Sequence, residues 1–174
     1  MKDFFAISDE RRKTFNGDWS RSPERINIMN GPIVENLNNI NPSLDISVEK
    51  TNAYKYSYTK KHDIVIKING IIKKVLETKF IEKDFEKNTN NYLEGEVGRS
   101  VIVEHNGIEY YSLVCIRSSA TKGNFQKTKK HCEAYKYLKN VCVLYYNDET
   151  KEYTLLVGDD YDTFLNKIAN GVNE

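Results

Sequence analysis

The chain lacks most of the usual signatures of a catalytic protein. No glycine-rich nucleotide loop, no Ser-His-Asp order and no cysteine nucleophile beside a positioned histidine can be found in its 174 residues. Cys115, Cys132 and Cys142 are too few and too widely spaced for a zinc site. Their odd number also argues against a disulfide framework, so they read as small buried hydrophobes. His105 and His131 stand far from any paired acids and read as surface or structural residues. No apolar run approaches the length of a membrane span. The start, MKDFFAISDERRKTF, carries an acid at position 3 and no sustained apolar stretch. It therefore does not read as a signal peptide, and the expectation is a soluble, cytoplasmic protein.

Net charge is scarce as well. With 26 basic and 25 acidic side chains the formal charge is +1. Attraction to nucleic acid would thus have to be local. Lys60 and Lys61 form one basic group; Lys122, Lys127, Lys129 and Lys130 form another. Such groups supply phosphate contacts without sequence information. No repeat, linker or low-complexity segment divides the chain, which is long enough for one domain with a substantial core.

What is present is concentrated in residues 60–80, KKHDIVIKINGIIKKVLETKF. Isoleucines at 64, 66 and 68 alternate with other residues, Asn69-Gly70 supplies a turn, and a second β-branched run follows, so the stretch reads as a β-hairpin. A strict two-residue loop would pair Asp63 with Leu76 and place Glu77 on the opposite face. A three-residue loop with Gly70 in the left-handed position of a bulge changes the parity. One face then carries Asp63, Val65, Lys67, Lys73, Val75, Glu77 and Lys79. The other carries Ile64, Ile66, Ile68, Ile72, Leu76 and Thr78, the better core. The register that buries more apolar surface also gathers two carboxylates beside a lysine. That set suits a hard cation and a water-activating neighbour.

The pattern resembles the PD-(D/E)XK nuclease superfamily, with Asp63 as the first acid and Glu77-Thr78-Lys79 as the E-x-K element. His62 stands where that pattern has proline. The Glu-Thr-Lys tripeptide recurs at Glu149–Lys151, but there it falls in a polar turn; only the copy at Glu77 ends an apolar strand. The resemblance covers about residues 30–147 and implies an α/β, restriction-endonuclease-like three-layer fold with a mixed central sheet flanked by helices. It implies a Mg²⁺-dependent endonuclease (Mn²⁺ substituting), in which Asp63, Glu77 and the Thr78 carbonyl hold the cation. Lys79 orients or deprotonates the attacking water. Superfamily members commonly add an acid from the preceding helix, here Glu35 in GPIVENL. Glu94 and Glu96, on the helix after the third strand, are secondary candidates that flank the site.

The partner implied is double-stranded DNA, cut by a homodimer of the type II restriction kind. A structure-selective or RNA-directed nuclease of the same fold, or a non-catalytic nucleic-acid-binding protein that keeps it, are the alternatives. DNA contacts are expected from Lys60, Lys61, Asn88, Asn90, Lys127, Lys129 and Lys130. Cross-strand packing is the favoured role for the alternating tyrosines 54, 56 and 58.

Along the chain, residues 1–21 read as a short helix and arm. Ser22-Pro23 starts a helix that Gly31-Pro32 interrupts and restarts, with Ile33, Leu37 and Ile40 as its core stripe. A first strand is expected at 52–59, a polar loop at 80–88, and a helix at 90–105. A strand at 110–116, a helix at 127–139, strands at 141–146 and 153–157, and a closing helix at 161–169 complete the plan.

Overall fold

The computed structural model describes residues 3–19, 22–54 and 59–170. Two helices come first, α1 (Phe4–Thr14) and α2 (Pro23–Ile40). A meander of β1 (Asp45–Ala53), β2 (Thr59–Ile68) and β3 (Ile71–Ile81) follows. Next come α3 (Phe85–His105), β4 (Glu109–Arg117), α4 (Phe125–Cys132), β5 (Val141–Tyr146), β6 (Tyr153–Gly158) and α5 (Tyr161–Asn170). The six strands lie in chain order in one sheet. β1, β2 and β3 pair antiparallel, β3 with β4 and β4 with β5 pair parallel, and β6 returns antiparallel. The two parallel steps require crossovers, which α3 and α4 supply.

Apolar alternation decides the layers. Ile64, Ile66, Leu76, Leu113, Cys115, Cys142 and Leu144 face α1, α2 and α5. Val65, Val75 and Tyr110, with Val114, Ile116, Val141 and Val143, face the opposite layer of α3 and α4. This is a mixed sheet between helices in three layers, the arrangement that the resemblance implies. All three cysteines are free and buried, as small hydrophobes would be. Among the described residues no helix is long and apolar enough to cross a membrane.

Several local features differ from the sequence expectations. The α2 helix is capped as expected, Ser22 Oγ accepting from the Glu24 amide, but it runs through Pro32 without a break. A proline inside a helix costs about 3 kcal/mol. Burial of Ile28, Met29, Ile33 and Leu37 along one stripe outweighs it. β1 begins at Asp45, not at residue 52, because Ile46 and Val48 already alternate. Tyr54 is buried just past its end, and Tyr56 and Tyr58 lie outside the described residues. The loop expected at 80–88 is mostly ordered structure: β3 continues to Ile81, and α3 starts at Phe85, a fully buried anchor. α4 is short and passes into a 3₁₀ turn, Glu133–Tyr137.

The parity change in the hairpin is real, but its source is different. Asn69 and Gly70 both have positive φ (52° and 74°), which makes a two-residue type I′ loop. The ladder then shifts between Ile66↔Lys74 and Lys67↔Ile72, leaving Lys73 as the extra residue of a bulge. Ile72 consequently packs with Val65 and Val75, contrary to expectation. Lys74 takes the core side beside Ile64 and Ile66, and its Nζ donates to the carbonyls of Lys167 (3.1 Å) and Ile168 (2.8 Å) at the end of α5. A cation satisfies those last carbonyls and complements the helix dipole.

One glycine is set by both its backbone angle and a close approach. Gly158 has φ +86°, and a Cβ there would sit 1.9 Å from the Val141 carbonyl oxygen. That same oxygen accepts from the Asp159 amide, which ties β6 to β5. Gly158→Ala is expected to cost about 1–3 kcal/mol, as overpacking does, and urea unfolding measures it.

Candidate active site

The cleft opens where β2 parts from β3. The pairing of the two strands ends at Ile64↔Leu76. Beyond it, the Thr78 amide, on the β2 side of β3, donates to a side chain, Asp63 Oδ2, at 2.8 Å. The Thr78 hydroxyl lies 3.2 Å from the same oxygen and donates to Asn30 Oδ1 at 3.0 Å. Thr78 therefore fixes the Asp63 carboxylate between the strands and ties it to α2.

Asp63, Glu77, Thr78 and Lys79 line one cavity of about 300 Å³, together with Lys60, Arg25, Phe80, Ile81 and Tyr92. The acid pair and the lysine expected from the hairpin are thus brought together. Lys60 joins them, whereas Lys61 is exposed and does not line the cavity.

Glu77 is almost wholly buried, and its two oxygens have different surroundings. Oε1 lies 2.6 Å from Nδ1 of His62, a fully buried side chain whose Nε2 lies 2.5 Å from the Tyr54 hydroxyl. A neutral imidazole satisfies both contacts when Nδ1–H donates to the carboxylate and Nε2 accepts from the phenol. Oε2 instead faces two cations at longer range, Lys60 Nζ at 3.7 Å and Arg99 Nε at 3.9 Å.

Lys79 is positioned by α3. Its Nζ lies 3.8 Å from Oε1 of Glu96, which is fully buried. The same oxygen takes the Arg99 guanidinium, while Oε2 accepts from the Tyr110 hydroxyl (2.6 Å) and the Ser112 hydroxyl (2.7 Å). Burial pushes the Glu96 carboxyl up, but Arg99, Tyr110, Lys79 and Ser112 outweigh it and hold it below the ordinary range. Asp63 is displaced the opposite way. Burial and the neighbouring Glu77 charge raise it above its usual value, more than Thr78 and Lys79 lower it.

The other expected residues lie apart. Glu35 is exposed on α2 and lines no part of the cavity; from α2, Arg25 lines the cavity and the buried Asn30 accepts from the Thr78 hydroxyl. Glu94 is exposed. Asn88 and Asn90 belong to the first turns of α3, not to a loop, and the Asn88 amide donates to the Asp84 carbonyl. Lys127, Lys129 and Lys130 are exposed on α4 and do not line the cavity.

Sequence reasoning missed His62, Tyr54, Arg99 and Asn30. Asn30 had a readable signal, since it stands three residues before Ile33 on the buried stripe of α2.

Among the described residues no group of three or more His, Cys, Asp or Glu side chains forms a ready metal site. The donor set fits a hard cation in a sparer way. Asp63 has its Thr78 contacts on Oδ2 alone, and its charge is disfavoured by burial and by Glu77, a penalty that a bound cation would relieve. Mg²⁺ commonly takes one or two carboxylates and keeps several waters.

No family model matches the chain, and no curated protein sequence does. Among solved structures, the small subunit of the heterodimeric restriction endonuclease R.BspD6I is similar at a TM-score of 0.44 and 16% sequence identity. That likeness covers 83% of this chain and 72% of the other.

Proposed function

We propose that this protein is a Mg²⁺-dependent endonuclease that hydrolyses phosphodiester bonds of double-stranded DNA, working as a homodimer in the manner of a type II restriction enzyme. The observation that carries the reading is the meeting of Asp63, Glu77, Thr78 and Lys79 around one cavity, with each charged group held by a neighbour: Asp63 by Thr78, Glu77 by His62 and Lys79 by Glu96.

Asp63 and the Oε2 side of Glu77 would hold the cation, with the Thr78 carbonyl as a backbone donor. A bound Mg²⁺ supplies positive charge to the phosphate oxygens and acidifies water. The chain's own groups do the rest. Thr78 fixes Asp63 through its backbone amide. His62 holds Oε1 of Glu77 and so leaves Oε2 turned toward Lys60 and Arg99. Lys79, steadied by Glu96, would orient or deprotonate the attacking water and offset charge on the pentavalent phosphate. Lys60 would meet a phosphate at the cavity rim, and Lys61 with the α4 lysines would contribute weaker peripheral contacts. A dimer would set two such sites against two strands.

Incubation of plasmid and phage DNA with Mg²⁺ tests the substrate. Discrete fragments are the expected product. A smear would replace the restriction enzyme with a nonspecific nuclease, and cleavage of RNA alone would replace the substrate. No cleavage of either polymer would remove the enzyme reading.

A further inference from the structure

Resting on the nuclease reading, a second cavity extends the site in a direction that the sequence did not indicate. It has a volume of about 250 Å³ and is lined by Arg12, Trp19, Arg25, Glu82 and Lys83. Arg25 lines both this cavity and the catalytic one, so the two are neighbours across a single guanidinium.

Two guanidinium groups converge on one carboxylate there, and the carboxylate acts as a holder. Glu82, with a side chain only 6% exposed, accepts from Arg12 Nη2 at 2.7 Å, from Arg25 Nε at 2.7 Å and from the Ser8 hydroxyl at 2.9 Å. Arg25 Nη2 also donates to the Phe80 carbonyl. Ser8 in turn accepts from the Trp19 indole, which fixes the wall of the cavity. A guanidinium carries five N–H donors. These contacts engage one on Arg12 and two on Arg25, leaving both with donors to spare. Rigidly held arginines with spare donors suit the tetrahedral, doubly accepting oxygens of a phosphate. Lys83, exposed at the junction between β3 and α3, adds a third positive charge.

We infer that this second cavity binds the backbone phosphate next to the one cleaved, so that the nucleic acid runs from Lys60 across Lys79 and Arg25 to Arg12 and Lys83. The ligand class is a phosphodiester backbone, and the contacts carry no base information. The subsite would set which bond of the strand lies over Asp63 and Glu77.

The test measures duplex DNA binding by fluorescence anisotropy across a salt series, in an Asp63→Asn background that prevents cutting. Replacing Arg12 and Lys83 together by alanine is expected to reduce the slope of log K against log salt by about 0.9, the share of the one phosphate no longer neutralised. The charge-preserving pair Arg12→Lys with Lys83→Arg is expected to keep the slope. A control pair, Lys73→Ala with Lys136→Ala, removes the same charge from exposed positions that line neither cavity and should leave the slope nearly unchanged. An unchanged slope in the Arg12 and Lys83 variant, or an equal drop in the control pair, would overturn the subsite. If the wild-type chain cleaves DNA while that slope stays fixed, only the subsite fails. If the parent chain binds no duplex at any salt, the subsite and the nuclease reading fall together.

Discussion

Asp63→Asn is expected to abolish cleavage and, at the same time, to raise the melting temperature of the cation-free protein at neutral pH. The loss of activity follows from removing a carboxylate that would hold the cation. The charge stabilisation removed amounts to several kcal/mol, a rate decrease of about a thousandfold or more. The gain in stability follows from linkage. Burial and Glu77 raise the folded Asp63 carboxyl above its ordinary 3.8. Between that value and the raised one, the folded chain keeps a proton that the unfolded chain has lost, so stability falls as pH rises through this window. The full penalty then persists at neutral pH. An amide carries no charge, and its oxygen can still accept from the Thr78 backbone amide. Melting curves of the two proteins should therefore coincide in strong acid and separate above about pH 4. Added Mg²⁺ should raise the wild-type midpoint and leave the variant unmoved. A variant less stable than wild type at pH 7 without metal would show that Asp63 is a structural cap for Thr78, not a strained ligand.

Glu96→Ala should have the largest effect on stability. It removes the partner of Arg99 and Lys79 and leaves the hydroxyls of Tyr110 and Ser112 without their acceptor. Breaking one side of a buried ion pair costs about 3–5 kcal/mol. In a chain of this size that corresponds to a midpoint drop of roughly 10 °C. Replacing both partners, Glu96→Leu with Arg99→Met, should recover part of the loss because no buried charge remains unpaired. The pH dependence has the opposite sign to that of Asp63. The folded Glu96 carboxyl lies below its ordinary 4.5, so its stabilisation is present above that value and is lost as pH falls through the lowered one. The gap between wild type and Glu96→Ala should thus shrink in acid. A cost below about 1 kcal/mol, or a gap independent of pH, would contradict the buried network.

The hairpin was legible because a strand repeats every two residues, and only one parity buries Ile64 and Ile66 while grouping the acids. The bulge that supplies the parity was not. Lys73 has no special local preference and is extruded because Lys74 gains the α5 carbonyls and Ile72 gains the Val65 side. His62 stood in the sequence only as a missing proline. Its partnership with Glu77 and Tyr54 depends on the parting of β2 from β3 and on β1 lying alongside, neither of which has a local signal. Glu96 was legible only as a secondary candidate beside Glu94, because the weak period of α3 does not tell its inner face from its outer one. Glu35 fits a cation by chemical type, yet it stands off the Asn30, Ile33, Leu37 stripe that faces the sheet.

Cleavage, on the mechanism proposed, depends on a hard cation shared by Asp63 and Glu77. Plasmid digestion by one preparation in EDTA and in Mg²⁺, Mn²⁺ and Ca²⁺ decides whether it does. Oxygen donors beside a lysine suit Mg²⁺ and Mn²⁺, whereas Ca²⁺ is larger and more loosely coordinated. The expected result is cutting with Mg²⁺ and Mn²⁺, binding with little turnover in Ca²⁺, and no cutting in EDTA. Cleavage that persists in EDTA and survives Asp63→Asn would show that the two acids hold no cation the reaction needs.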